Sequence, residues 1–173
     1  MSLDAIKERL PEHAKDLRIN LGNLLTSEHL SPRQLYGTLV ATAFTARNRE
    51  LLAATIAEAA GHLSPEDVAI AKAVATTMGM NNVYYRFKHL VEKPEYQKLP
   101  ARLRMQAVGH PADDKLDREL WALAVSAVNG CGMCIQAHED GLRKLGASID
   151  TIHDAVRVAA VVFATAVALD QTE

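Results

Sequence analysis

The sequence predicts an all-α protein, and three observations carry that expectation. No run of alternating Val, Ile and Thr marks a strand, whereas alanine is abundant and aromatics make up only 5% of the 173 residues, a balance that favours close helix-to-helix packing. Helix-start chemistry recurs: Ser31-Pro32 and Ser64-Pro65-Glu66-Asp67 each place a capping hydroxyl ahead of a proline, and the second adds two acids near the positive helix end. The same helix, helix, capped-helix order also occurs twice. Leu35, Tyr36, Val40 and Ala41 align with Leu120, Trp121, Val125 and Ser126 at an offset of 85, and Ala57 with the equally apolar Leu142. After a one-residue slip, Val68, Ala71 and Ala75 correspond to Ile152, Ala155 and Ala159. The pattern implies a duplicated helical unit within a single domain spanning 1–173, with repeat 1 at about 31–90 and repeat 2 at about 113–170.

Taken in order, a short helix is expected from Leu3 to Glu12, disturbed by Pro11, followed by a polar run from Lys15 to Asn20. Leu21 to Ser31 reads as a connector. A helix starts at Ser31-Pro32 and is interrupted at Arg47-Asn48-Arg49, and a second runs from Glu50 to Ala60, stopped by Gly61. The helix opened by Ser64 is expected to reach about Thr77, with Met80 to Leu90 a separate amphipathic helical segment. Pro94, Pro100 and Pro111 punctuate a mobile or irregular middle. Asp113 to Val128 reads as helix, Cys131 opens the next, and Ser148-Ile149-Asp150 caps the last, which ends near Leu169.

Composition excludes some classes of function. A net charge of −2 gives no reason to expect nucleic acid or an anionic membrane surface as partner. Lys7, Glu8 and Arg9 break the first apolar run, so no secretory signal is expected. The apolar stretch from Val158 to Leu169 is too short to span a bilayer. The expected compartment is a reducing cytoplasm, where a CxxC pair is catalytic or metal-binding more often than a structural staple.

The chemistry concentrates in Asn129-Gly130-Cys131-Gly132-Met133-Cys134-Ile135-Gln136-Ala137-His138, which holds both cysteines. On a helix, Cys131, Cys134 and His138 fall at i, i+3 and i+7 and share one face. A c-type haem site requires histidine directly after the second cysteine, and Ile135 stands there. A structural zinc site lacks a third cysteine, and one helix face rarely closes a catalytic zinc site around Cys131, Cys134 and His138. No βαβ pattern supports a thioredoxin fold. A thiol–disulfide or peroxidatic pair on a helical scaffold remains, with the first helical turn favouring a thiolate and His138 as its base. Small Gly132 is expected to leave the sulfurs approachable. In an antiparallel hairpin about Asn129-Gly130, Glu119 lies nearly level with His138 and is a candidate partner. Glu139 and Asp140 are its rivals, rotated away from the cysteine stripe. Ala46 and Arg49 stand where the second copy has cysteines, so the first half is expected to be scaffold.

Leu120-Trp121, then Ala124-Val125-Ser126-Ala127-Val128-Asn129-Gly130-Cys131, Cys134 and Ala137-His138-Glu139 resemble the alkyl hydroperoxidase D family. Leu10-Pro11-Glu12, Ala14-Lys15-Asp16-Leu17 and the string Met78-Gly79-Met80-Asn81-Asn82-Val83-Tyr84-Tyr85-Arg86 extend the likeness over nearly the whole chain. The resemblance implies an all-α fold with a duplicated unit, a homotrimer, and an antioxidant activity with no bound cofactor. It further implies weak reduction of alkyl hydroperoxides and re-reduction of a partner peroxiredoxin, the AhpC-type catalytic subunit. Dihydrolipoamide, carried by a lipoylated dihydrolipoamide acyltransferase, would be the reducing co-substrate. By position, Cys134 would be the nucleophile that forms a sulfenic acid, Cys131 the proton donor and resolving thiol, and Glu119 and His138 the proton relay. Met133 departs from the family pattern, which carries a second histidine there. The rival readings are a non-redox carboxymuconolactone decarboxylase-like lyase using His138 and Glu119, and a partner-binding protein whose CxxC only senses redox state.

Overall fold

Local capping decides where most helices begin. The computed structural model describes residues 2–106 and 115–170, and among them there is no strand, so the all-α expectation holds. The elements are α1 (Leu3–Arg9), a short 3-10 turn (Glu12–Ala14), α2 (Lys15–Leu24), α3 (Pro32–Ala46), α4 (Arg49–Ala59), α5 (Pro65–Val91), α6 (Pro94–Gln97), α7 (Lys115–Val128), α8 (Gly132–Lys144) and α9 (Ile149–Asp170). Ser31 and Ser64 both close reciprocal capping boxes, with Gln34 and Asp67 respectively. Asn48 caps α4 by accepting the Leu51 N–H at 2.8 Å, and Ser148 accepts the Thr151 N–H at 3.0 Å at the start of α9. The expected start of α7 at Asp113, and Pro111, lie outside the described residues.

The first helix ends at Arg9 rather than Glu12, and Pro94–Gln97 forms a short helix in the stretch expected to be irregular. Two further elements differ from the sequence reading. The polar run and connector between Lys15 and Leu24 form a helix, because Leu17, Leu21 and Leu24 recur on one face that packs against α9. The break expected after Thr77 is absent. Helix α5 passes straight through Gly79, since Val74, Ala75, Met78, Asn81 and Asn82 keep one buried face in register. A glycine inside a helix costs only about 1 kcal/mol, less than that face contributes.

The core is built around α3, which is buried continuously from Leu35 to Ala43 and packs against α4, α5, α7 and α9. Its buried Thr38 and Thr42 hydroxyls each donate to a carbonyl one turn back, at 2.7 Å, which satisfies them without a tertiary partner. All eight residues of the Leu35–Leu120, Tyr36–Trp121, Val40–Val125 and Ala41–Ser126 alignment are buried. At Gly37, α3 packs directly against the Trp121 indole of α7. Arg33 fixes the ends of three helices: it bonds Asp67 on α5 at 2.9 Å, pairs with buried Asp117 on α7, and lies 5.2 Å from the Trp121 ring centre. Helix α9 is long and apolar enough to cross a membrane, beyond the Val158–Leu169 stretch judged too short. However, 56% of its most apolar window is buried inside the protein against α2, α3 and α7, as in a core helix.

Candidate active site

The turn between α7 and α8 determines where the sulfurs sit. Asn129 N–H still bonds Val125 O in helical fashion, Gly130 N–H bonds Ala127 O, and Cys131 N–H reaches back to Ser126 O at 3.1 Å. Gly130 adopts φ +67°, a conformation that costs glycine little, and it reverses the chain so that α8 runs back along α7. Cys131 is the N-cap of α8, and its Sγ accepts the Cys134 N–H at 3.3 Å. The two cysteines form a disulfide with each other. A sulfur in this position faces the unpaired N–H groups of the first turn, which stabilise negative charge once the bond is reduced.

Both sulfurs are deeper than the sequence reading expects. Cys131 is fully buried and Cys134 is 6% exposed, while Gly132 itself faces solvent with open space where a Cβ would stand. A Cβ at Gly132 would meet no residue beyond its own chain neighbours, so the depth of the sulfurs is set by the packing of α8 against α5 and α7.

The hairpin brings Glu119 to His138, with Glu119 Oε2 2.7 Å from His138 Nδ1. Both side chains are partly buried. Hydrogen bonding to His138 holds the Glu119 carboxyl below the usual carboxylate range, so the carboxylate form dominates at neutral pH. An ionised Glu119 only accepts, so Nδ1 carries a proton and Nε2 is the ring nitrogen left for proton transfer. Gly141, one turn beyond His138, packs beside this contact: a Cβ there would lie 3.5 Å from Glu119 Oε2, an ordinary van der Waals distance. Glu139 is half-buried and Asp140 exposed, and the carboxylate that meets His138 is Glu119. Among the described residues no three His, Cys, Asp or Glu side chains gather into a metal-holding group.

Sequence reasoning missed a polar cluster behind the turn. Buried Asn82 on α5 donates through Nδ2 to Ser126 Oγ and accepts from Asn129 Nδ2 through Oδ1, both at 2.9 Å. One helical turn on, exposed Arg86 donates to Asn129 O at 2.6 Å. The available signal was the Met78–Arg86 string, which stood out in the sequence without a job.

The model of the carboxymuconolactone decarboxylase family matches residues 94–172. A protein of Rhodospirillum centenum named alkyl hydroperoxide reductase AhpD is 53% identical over 170 residues, covering 98% of this chain and 91% of that protein. A protein of the same name from Gluconacetobacter diazotrophicus is 52% identical, covering 98% and 93%. Another from Brucella abortus is 49% identical over 173 residues, covering 100% and 99%. With half of all positions shared from end to end, the chain belongs to the alkyl hydroperoxide reductase AhpD family.

Proposed function

We propose that the protein is a cytoplasmic alkyl hydroperoxide reductase that works through Cys131 and Cys134. The observation that carries this reading is the Cys131–Cys134 disulfide at the head of α8, with the Glu119–His138 pair one turn further along. In the reduced protein, His138 accepts the Cys134 thiol proton. The thiolate attacks the terminal peroxide oxygen, the O–O bond breaks, and the alcohol leaves with a proton, so Cys134 becomes a sulfenic acid. Cys131 then attacks the Cys134 sulfur and expels water, closing the disulfide, with two electrons passed to the peroxide in all. Dihydrolipoamide on a lipoylated acyltransferase supplies two electrons by thiol–disulfide exchange, and the restored dithiol passes them to a disulfide in an AhpC-type peroxiredoxin. The relatives' shared name supports the peroxide-reducing class. The exposed apolar stripe Val83, Phe87 and Leu90 on α5 supports self-association, and the family resemblance implies a homotrimer, expected at three times the 18.8 kDa chain mass by light scattering.

The test is turnover of purified protein with dihydrolipoamide and an organic hydroperoxide, combined with thiol titration. Two thiols must vanish together on peroxide addition, and Cys134→Ser must abolish turnover. The Glu119–His138 pair would equally serve a non-redox lyase of the carboxymuconolactone decarboxylase type. An activity that survives alkylation of both cysteines, with peroxide leaving both thiols free, would select that reading.

A further inference from the structure

We infer that Asn82 and Arg86, in the half expected to be scaffold, are positioning residues for the redox pair; this rests on the proposed thiol chemistry. Every hydrogen-bonding atom of the Asn82 carboxamide that meets the turn is matched: Nδ2 to Ser126 Oγ and Oδ1 to Asn129 Nδ2. The Arg86 guanidinium closes on Asn129 O from the next turn of the same helix. Ser126 is also the residue whose carbonyl receives the Cys131 N–H, so α5 grips both sides of the segment that ends at the first sulfur. Asn82 and Ser126 are buried, and a carboxamide buried there without partners would be costly, so the contacts specify one arrangement of the turn.

That arrangement places Cys131 Sγ over the Cys134 N–H and within bonding reach of the second sulfur. The chemical consequence concerns effective concentration. Holding one sulfur beside the other pre-empts the entropy lost on closing the disulfide, and a loosened turn gives that entropy back to the dithiol. Neither Asn82 nor Arg86 touches a reacting atom; both act through residues 126–131.

The experiment equilibrates wild type, Asn82→Ala, Arg86→Met and Arg86→Lys with dithiothreitol buffers, and measures melting temperature and peroxide turnover in parallel. Asn82→Ala and Arg86→Met are expected to shift the disulfide equilibrium about tenfold toward the dithiol and to lower turnover per folded molecule about tenfold. Arg86→Lys, which keeps a cationic donor, recovers most of both. Should Asn82→Ala not fold, the exposed Arg86 pair decides. Unchanged equilibrium and turnover in Arg86→Met, even with a lower melting temperature, would overturn the positioning role. Dithiothreitol reads the clamp whether or not dihydrolipoamide is a substrate. Absent dihydrolipoamide turnover in wild type would therefore refute the proposed function and leave the clamp result standing.

Discussion

Gly37→Ala is the substitution whose cost can be worked most directly from the packing. Gly37 sits on α3 where that helix crosses α7, and a Cβ there would lie 2.5 Å from Trp121 Nε1 and closer still to two indole carbons. Ordinary carbon contacts begin at about 3.4 Å, so the helices must part by about 1 Å or the fully buried indole must leave its place. Overpacking of this kind costs about 1–3 kcal/mol, and the upper end applies because backbone and ring, not a flexible side-chain end, must give way. Alanine returns up to about 1 kcal/mol of helix propensity, leaving a net loss of about 2 kcal/mol. For a domain of this size that lowers Tm by about 4–8 °C. Trp121 is the only tryptophan, so its fluorescence reports on the disturbed contact during thermal or urea unfolding. Trp121 lies two residues from Glu119, so turnover should fall with stability as the 2.7 Å link to His138 is misplaced. Gly22→Ala is the control: it has open space for a Cβ and should be neutral or slightly stabilising. A Gly37→Ala protein with Tm within 1 °C of wild type and an unmoved emission maximum would refute the close-contact argument.

Glu119→Gln keeps an acceptor for His138 but removes the charge, and peroxide turnover at pH 7 should fall about tenfold or more. The folded-state pKa of Glu119 is depressed, so its stabilising contribution is present above the unfolded value of about 4.3 and is lost as pH falls through the lower folded value. The stability gap between wild type and Glu119→Gln, measured by urea unfolding, should therefore be full at pH 6–7 and close on acidification below about pH 4. Gly132→Ala should leave activity intact and melting unchanged or slightly raised, since a Cβ there meets nothing beyond its chain neighbours; a large activity loss would mean that the smallness of this residue does matter for access to the adjacent Cys131 sulfur. Met133→Ala should cost less than about 1 kcal/mol in urea unfolding and little turnover, because Glu119 meets His138 directly without any side chain from position 133.

Features set by local chemistry were legible in the chain. Ser31 and Ser64 act within three residues of themselves, so their capping boxes follow from neighbouring sequence. The Glu119–His138 contact was reachable because both residues flank one tight turn, where distance from Gly130 translates into height along the hairpin. The Lys15–Leu24 helix was obscured because Arg18, Asn20, Gly22 and Asn23 separate the three leucines, and only the α9 surface makes their stripe count. The Asn82 cluster could not be read: its partners are 44 and 47 residues away, and a polar residue on a helix looks solvated until the facing helix is placed. Sulfur depth was misread for a related reason. Gly132 is small, but which side of α8 it occupies depends on how that helix lies against α5 and α7.

Depth and capping together give the two sulfurs different physical characters within the proposed cycle. A thiolate attacking the disulfide must approach one sulfur along the S–S axis and expel the other, and exchange is fastest when the expelled sulfur is the better-stabilised anion. Cys134 alone has measurable exposure, so the incoming thiol meets it first. Cys131 Sγ, at the cap of α8, already accepts a backbone N–H and sits at the positive helix end, which suits it to leave as thiolate. The same asymmetry serves the return stroke: a Cys131 thiolate held in place is poised to attack oxidised Cys134 and expel water. In this cycle Cys131→Ser should form a mixed disulfide on Cys134 with a small disulfide reagent, whose other half leaves as a thiol, detectable by intact-protein mass. Cys134→Ser should trap far less on the buried Cys131. Equal trapping on both sulfurs would remove burial and capping as the basis for their division of labour.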